Sequence, residues 1–226
     1  MKICVVTPCY QGTVNVQFLM SLMNTITRIK KSECMFFTVI GSSILPMARN
    51  LLVAKAMALG ADKIVMIDDD VSWQSDDFQR LVIAPEKIVA GVYQKRPHNW
   101  QDQPEMAVSL FPTGLEVDDR GLAEVDGAAT GFMRVDREVF EAMKASCVKL
   151  GDKSLEPDQE RELFEYFQFA RQQKDDGKVY LEGEDYNFCR RARALGFRTY
   201  VDPAIKLGHH VGQFRFGASL GVHPIL

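Results

Sequence analysis

Three carboxylates stand side by side at Asp68, Asp69 and Asp70, directly after the apolar run "IVMI". Adjacent like charges repel, so such a run needs either solvent or a cation to hold it. On an extended backbone, positions i and i+2 point to the same side. Asp68 and Asp70 could therefore share one hard cation, with Asp69 facing elsewhere. Mg²⁺ or Mn²⁺ suits oxygen ligands of this kind and completes its shell with water and substrate phosphates. An acidic loop that merely caps the following helix would use the same residues. An isolated Asp-x-Asp does not separate the two readings; its position at the end of a buried strand favours the metal.

Other chemistry-bearing residues are spread along the chain. Arg49 stands at the start of a helix-like stretch, "PMARN". A guanidinium can give a diphosphate two parallel hydrogen bonds, and a cation so early on a helix opposes the helix dipole, which argues for function over an ordinary surface arginine. Glu184 and Asp185 open the stretch "EDYNFCRRARALGF". Acids at a helix N-terminus are favourable in any case, but neighbouring carboxylates can also push their pKa values apart. His209 and His210 sit together in the glycine-bracketed "LGHHVG".

The elements that must position these residues follow from periodicity. "KICVVTP", "CMFFTVIG", "DKIVMI", "KIVAGVY" and "RTYVDP" read as strands, the first closed by its proline. "NVQFLMSLMNTITRIKK", "LPMARNLLVAKAMALG", "SDDFQRLVIA", "DREVFEAMKA" and "EDYNFCRRARALGF" read as helices. Ser75 and Asp136 are the expected N-caps, and Gly60 and Gly196 the C-terminal stops. This alternation predicts an α/β fold with a mostly parallel sheet covered on both faces. After Pro97 the strand-like pieces shorten and are separated by Gly and Asp turns, which predicts a smaller antiparallel or mixed section. "LFEYFQFA" reads as an amphipathic helix packing Leu163, Phe164 and Phe167 on the core, with Lys174 to Gly177 as a mobile lid after it. No repeat or linker interrupts the chain, so 1–226 is expected to be one domain.

Ligands of open parallel sheets bind beyond the carboxyl ends of the strands. That rule picks out "TPCYQG", the three aspartates, "YQKR" and "LGHHVG", which should converge on one crevice. Bulk composition narrows the partners. With 46% apolar and 25% charged residues the chain is ordinary globular protein. A net charge of −3 supplies no global basic field for nucleic acid. The five cysteines are odd in number and lack zinc-ligand spacing, which fits reduced thiols. The chain starts directly into a strand-like run, and no apolar stretch approaches the ~18 residues needed to span a membrane. A cytoplasmic protein without a transmembrane segment is expected.

"VMIDDDVSW" resembles the Asp-x-Asp region of nucleotide-sugar glycosyltransferases of the GT-A fold. "LEGEDYNFCRRARALGFRTYVDPAIKLGHHVG" resembles the later half of family-2-like members, where an acidic pair opens a helix and a histidine follows the next strand. The resemblance spans about Lys2 to Gly212. It implies a nucleotide-binding half, 1–97, and an acceptor-binding, catalytic half, 98–226. By this resemblance Thr7, Pro8 and Tyr10 hold base and ribose, Tyr10 by stacking. Arg49 reaches the nucleotide. Asp68 and Asp70 face the metal and diphosphate, Asp70 as direct ligand, and Asp69 lies nearer the ribose. His210, or else His209, completes the metal site. Asp185 is the general base of an inverting transfer, supported by Glu184. Gly127 and Gly131 let backbone approach the donor, and Thr130 hydrogen-bonds a sugar. Lys95 and Arg96 either meet phosphates or are a solvated pair.

The implied cofactor is Mn²⁺ or Mg²⁺ and the implied donor a nucleotide-diphosphate sugar, a UDP-sugar foremost. The acceptor hydroxyl could belong to a glycan, a small molecule or a hydroxylated base in DNA. Two other classes compete. A sugar-phosphate nucleotidyltransferase usually carries a glycine-rich loop after its first strand, and "TPCYQGTVN" holds one glycine. A non-catalytic nucleotide-sugar-binding module would keep the pocket but be expected to lose the base.

Overall fold

In the computed structural model, residues 1–28, 34–95, 105–151, 162–173 and 176–210 are described. The first part of the chain alternates as read: β1 (Ile3–Cys9), α1 (Val16–Arg28), β2 (Cys34–Ile40), α2 (Leu45–Ala58), β3 (Lys63–Ile67), β4 (Val71–Trp73), α3 (Ser75–Ile83) and β5 (Ile88–Ala90). Then come β6 (Val108–Ser109), β7 (Ala123–Val125), β8 (Gly127–Ala128), β9 (Phe132–Asp136) and α4 (Arg137–Met143). The chain continues through β10 (Ala170–Gln173), β11 (Val179–Glu182), α5 (Glu184–Ala194), β12 (Thr199–Val201) and β13 (Leu207–His209).

The main sheet has seven strands in the order β2-β1-β3-β9-β5-β12-β7. β1 pairs parallel with β2 and β3, and β12 pairs parallel with β5. β9 lies antiparallel between β3 and β5, and β7 is antiparallel to β12. Five of the seven strands thus run one way. Two-stranded antiparallel pairs, β4 with β13, β6 with β8 and β10 with β11, form the smaller section. The run "KIVMI" is apolar because β3 is central and covered on both faces. One face carries α2, α4 and α5 over Leu52, Met66, Phe140 and Phe188; the other carries α1 and α3 over Phe18, Trp73, Phe78 and Phe132. α1 buries Phe18, Ser21, Leu22 and Thr25, the spacing of one helical stripe.

The antiparallel insertion of β9 is what shapes the crevice. Ile67 at the end of β3 pairs with Phe132 at the start of β9, and Asp68 N–H donates to Gly131 O at 3.1 Å. The turn before β9 therefore lies at the carboxyl ends of the parallel strands.

Local readings differ in four places. β1 runs through Pro8 instead of ending there; beyond Val6 it pairs with β2 alone, where a missing N–H is tolerated. The N-cap of α3 is Gln74, whose backbone N–H donates to Asp77 Oδ2 at 3.0 Å, and Ser75 is the first helical residue. Asp136 is the N-cap of α4, but its carboxylate turns to Arg134. "LFEYFQFA" is not an α-helix: Leu163, Tyr166 and Phe167 are buried in irregular and extended backbone, with Phe167 stacked on Phe188 at 4.6 Å. The aromatic content was legible as packing; the helical period was not. The expected lid falls partly on residues 174 and 175, outside the described residues, and Gly177 sits in the turn before β11.

Arg134 is buried in the middle of β9. Its guanidinium donates to Leu81 O at 3.2 Å and Ala84 O at 3.0 Å, also reaches Glu86 O, and pairs with Asp136. The carbonyls are those left open at the end of α3, where a cation is favoured. Burial lowers the Arg134 pKa, opposed by Asp136. Desolvation of the ion costs several kcal/mol, and charge-assisted hydrogen bonds of about 1.5–3 kcal/mol each offset it. Arg134→Ala is therefore expected to lower stability by about 3–5 kcal/mol, read as a shift of the urea midpoint at unchanged slope. A loss below about 1 kcal/mol would contradict this account.

Candidate active site

Each of the three aspartates turns to a different partner. Asp68 Oδ1 accepts from Arg49 Nη2 at 3.3 Å. Asp69 lies beside the Cys9 thiol, whose pKa is raised by burial and then by that carboxylate. Asp70 Oδ2 lies 3.6 Å from His209 Nε2. The backbone pins the same turn: Val71 N–H donates to Asp68 O at 3.2 Å, Asn15 N–H to Asp69 O at 2.9 Å and His210 N–H to Asp70 O at 2.7 Å. The repulsion inherent in the run is relieved by dispersal, before any ligand arrives.

Pairing of β13 with β4 brings both histidines to the acidic turn, and their side-chain contacts separate them. His209 is in register with Val71, directly after Asp70. Neighbouring residues on a strand point to opposite faces. The two imidazoles therefore part: His209 Nε2 lies toward Asp70, with Nδ1 2.6 Å from Gln94 O, while His210 Nε2 lies 2.7 Å from Ser72 Oγ. The structure brings His209 to Asp70 and leaves His210 with Ser72.

Arg49, on the first turns of α2, is only 4% exposed. One terminal nitrogen binds Glu184 and the other Asp68. Burial alone would lower its pKa; Asp68, Glu184 and Asp185 reverse that and raise it. Both terminal nitrogens already serve carboxylates, so the side chain ties the acidic turn to α5 and does not project into the cleft as the sequence suggested.

Glu184 and Asp185 open α5. Glu184 is consumed by Arg49. Asp185 is half-buried, and Tyr186 N–H donates to its Oδ1 at 2.8 Å. Burial pushes its carboxyl up to about 6; Glu184 and Asp68 add to the rise, and Arg49 and the Tyr186 N–H oppose it. A carboxylate near neutrality is suited to accept a proton.

An open cleft of about 480 Å³ is lined by Pro8, Tyr10, Ser42, Ser43, Leu45, Asp68, Asp69 and Asp70. Tyr10 is 60% exposed there. Thr7 is not among the lining residues: its side chain is fully buried and its hydroxyl unpartnered. Thr130 is likewise buried with an orphan hydroxyl. Lys95 pairs with Glu105 at 3.3 Å, and Arg96 and Gly212 lie outside the described residues. Sequence reading missed Ser42, Ser43 and Leu45, although "IGSSIL" follows the second strand and the carboxyl-end rule covers it. Tyr93 lies in the segment "YQKR" that the same rule picks out, but the sequence assigns it no role. This buried phenol packs edge-on to His209, with ring centroids 4.9 Å apart, and burial, then Asp68, pushes its pKa well up. Gly131 is required by that packing: a Cβ there would stand 2.1 Å from the Tyr93 hydroxyl and 2.8 Å from Asp68 Oδ2.

The donor set limits the divalent cation site that the turn can offer. Among the described residues no three His, Cys, Asp or Glu side chains are placed to hold a metal by themselves. Asp70 and His209 form a two-residue set. That fits an ion taking most of its shell from water and substrate phosphates, and does not fit an all-protein cage.

No family model matches the chain, and no curated protein sequence does. Solved structures do. A197 from STIV is similar with a TM-score of 0.54 at 17% identity, over 94% of this chain and 87% of that one. The catalytic domain of Drosophila β1,4-galactosyltransferase 7, solved with xylobiose, is similar with a TM-score of 0.50 at 13% identity, over 95% of this chain and 73% of that one. The chain therefore has a GT-A-like α/β fold; at these identities the likeness establishes the fold alone.

Asp185 holds its proton more tightly folded than unfolded. Between its ordinary 3.8 and about 6 the folded chain binds the extra proton. Stability from this group is thus full below that window and lost as pH rises through it. Asp185→Asn removes the effect. At pH 7 the variant is expected to be the more stable by roughly 2 kcal/mol, with the gap closing near pH 4. A variant no more stable than the parent at pH 7 would contradict the burial of this carboxylate.

Proposed function

We propose that the chain is a family-2-like GT-A glycosyltransferase, one domain over 1–226, that moves a sugar from a nucleotide-diphosphate donor to an acceptor hydroxyl with inversion. The observation that carries this is Asp185, a carboxyl held near neutrality on the helix tied by Arg49 to the acidic turn that floors the cleft. The GT-A-like fold and the order of the acidic turn, acidic pair and histidine support the same reading.

Each residue has a distinct task in it. Pro8 and exposed Tyr10 border the cleft where a base would lie, with Tyr10 stacking on its π-face. Ser42 and Ser43 offer hydroxyls to ribose, and Asp69 accepts from the same sugar. The described residues lining the cleft carry no cation, and Arg49 is already engaged by carboxylates. A diphosphate beside Asp68–Asp70 therefore has to bring its own counter-charge. Asp70 and His209 would hold a Mn²⁺ or Mg²⁺ ion, which neutralises the departing diphosphate.

Asp185 Oδ1 is occupied by the Tyr186 N–H, so Oδ2 takes the proton of the acceptor hydroxyl. That oxygen forms its bond to the anomeric carbon as the bond to the diphosphate oxygen breaks, and the electron pair leaves with the nucleotide. Burial favours the neutral carboxyl that results. Tyr93 and Gly131 keep Asp68 and His209 in place beneath the donor. The proposed donor is a UDP-sugar, and the acceptor is a glycan, a small molecule or a hydroxylated DNA base. The location proposed is cytoplasmic; no helix among the described residues is long and apolar enough to cross a membrane.

Binding of UDP-sugars in the presence of Mn²⁺ is expected to raise the unfolding temperature, by ~2.7 kcal/mol of stability at a hundredfold excess over Kd. Asp70→Ala should lose that Mn²⁺-dependent shift. Asp185→Asn should keep it while losing about 10²–10⁴-fold in transfer rate. A panel of nucleotide sugars without any shift would remove the donor reading, and full transfer by Asp185→Asn would remove the base.

A further inference from the structure

β2 is an edge strand of the main sheet: among the described residues it pairs with β1 alone. Exposed edges are usually blunted by charge, proline or a short length. β2 has seven residues, "CMFFTVI", with none of these devices. Its two faces differ. Met35, Phe37 and Val39 pack on the α2 side, where Lys55 lies over the Phe37 ring at 5.1 Å. On the α1 side, Phe36 is exposed and Ile40 is 63% exposed.

The neighbouring surface of α1 continues that patch. Ser21 and Thr25 accept from Trp73 of β4, and Arg28 pairs with Asp76 of α3, so this flank faces inward and away from β2. The opposite flank carries Leu19, Met23 and half-buried Ile26, and Phe18 lies 6.3 Å from Phe36. Val16, Leu19, Met20 and Met23 are all exposed, Met23 at 55%. Before Arg28, α1 carries no charged residue. A solvated helix face is normally polar, and an exposed apolar patch of this kind marks an interaction surface.

We propose that this face joins two copies of the chain, with the β2 edges pairing antiparallel across a two-fold axis and the Leu19–Met23 flanks of α1 meeting above them. A second copy is the occupant that the chemistry selects. An antiparallel edge is complementary to itself under a two-fold, so the same row of N–H and C=O groups supplies both partners. Among the described residues of this face, from Val16 to Thr27 and along β2, no charge repels its own copy. A bilayer surface would call for basic residues, and the net charge of −3 opposes it. Strand and helix each run about 20 Å, so a face of two elements, each about 10 Å wide, outlines roughly 400 Å², a small interface beside the ~800 Å² per partner of the standard size. Each cleft begins just beyond β2, at Ser42 and Ser43, so the two clefts would open at opposite ends of the seam. The inference is independent of the reaction proposed above.

Sedimentation velocity of the full chain, from about 1 to 100 μM across the usual range of such affinities, tests it. The parent is expected to sediment as a dimer. Met23→Glu and Ile40→Lys, both at exposed positions, are expected to weaken dimerisation at least tenfold with unchanged circular dichroism; Leu19→Gln serves if either fails to fold. A parent that stays monomeric over the range overturns the proposal, as does a dimer that neither charge disturbs. A monomer that co-floats with zwitterionic lipid vesicles overturns it in favour of a membrane surface.

Discussion

The site depends on one buried cation. Arg49 sits under the cleft with Glu184 on one terminal nitrogen and Asp68 on the other. Removing a guanidinium from water costs several kcal/mol, and its two carboxylates must offset that cost with close geometry. The converse matters more. Without the cation, Glu184 would be left as an uncompensated charge in the interior, and the acidic turn would lose its nearest counter-charge. Helix α2, the end of β3 and the start of α5 are thereby held as one unit, although they are far apart in sequence.

From this constraint the division of labour among the carboxylates follows. Glu184 is spent on structure, which leaves Asp185 as the acid of the pair with a raised pKa and a free second oxygen geometry defined by the Tyr186 N–H. Asp68 is held back by Arg49 and Asp70 lies beside His209; the proposed function assigns that pair the incoming charge. The pattern of three like charges, which looked like a demand for metal, is in the first place a set of three local solutions. In the proposed function a cation and diphosphate would add to an arrangement that already stands.

Much of the fold was legible because strand and helix periods are strong in the first ninety residues: β1, β2, β3, α2 and α3 lie where the apolar runs put them. The later section was harder. β9 looks like any short strand, and nothing local announces that it inserts antiparallel between β3 and β5; that is decided by long-range pairing. "LFEYFQFA" misled because aromatic density mimics a helical stripe, whereas the hydrogen bonds between Asn50 and the Phe167 backbone hold the segment in irregular form. At the site, residue types could be read but directions could not. The choice between His209 and His210 rests on where each ring turns, to Asp70 or to Ser72, and the inward turn of Arg49 rests on Glu184, 135 residues away. Thr7 was placed by a turn rule, but β1 continues past it and buries it. Tyr93 fell within the segment "YQKR" that the strand-end rule picked out, but a lone tyrosine beside a Lys–Arg pair signals no role.

The most direct test of this account is a crystal structure with UDP-sugar and Mn²⁺ bound. It predicts the ion on Asp70 and His209, the diphosphate completing its shell, Arg49 still between Glu184 and Asp68, and Asp185 facing the anomeric carbon from the side opposite the diphosphate. An ion held by Asp68 and His210, or Arg49 swung out onto the diphosphate, would contradict it.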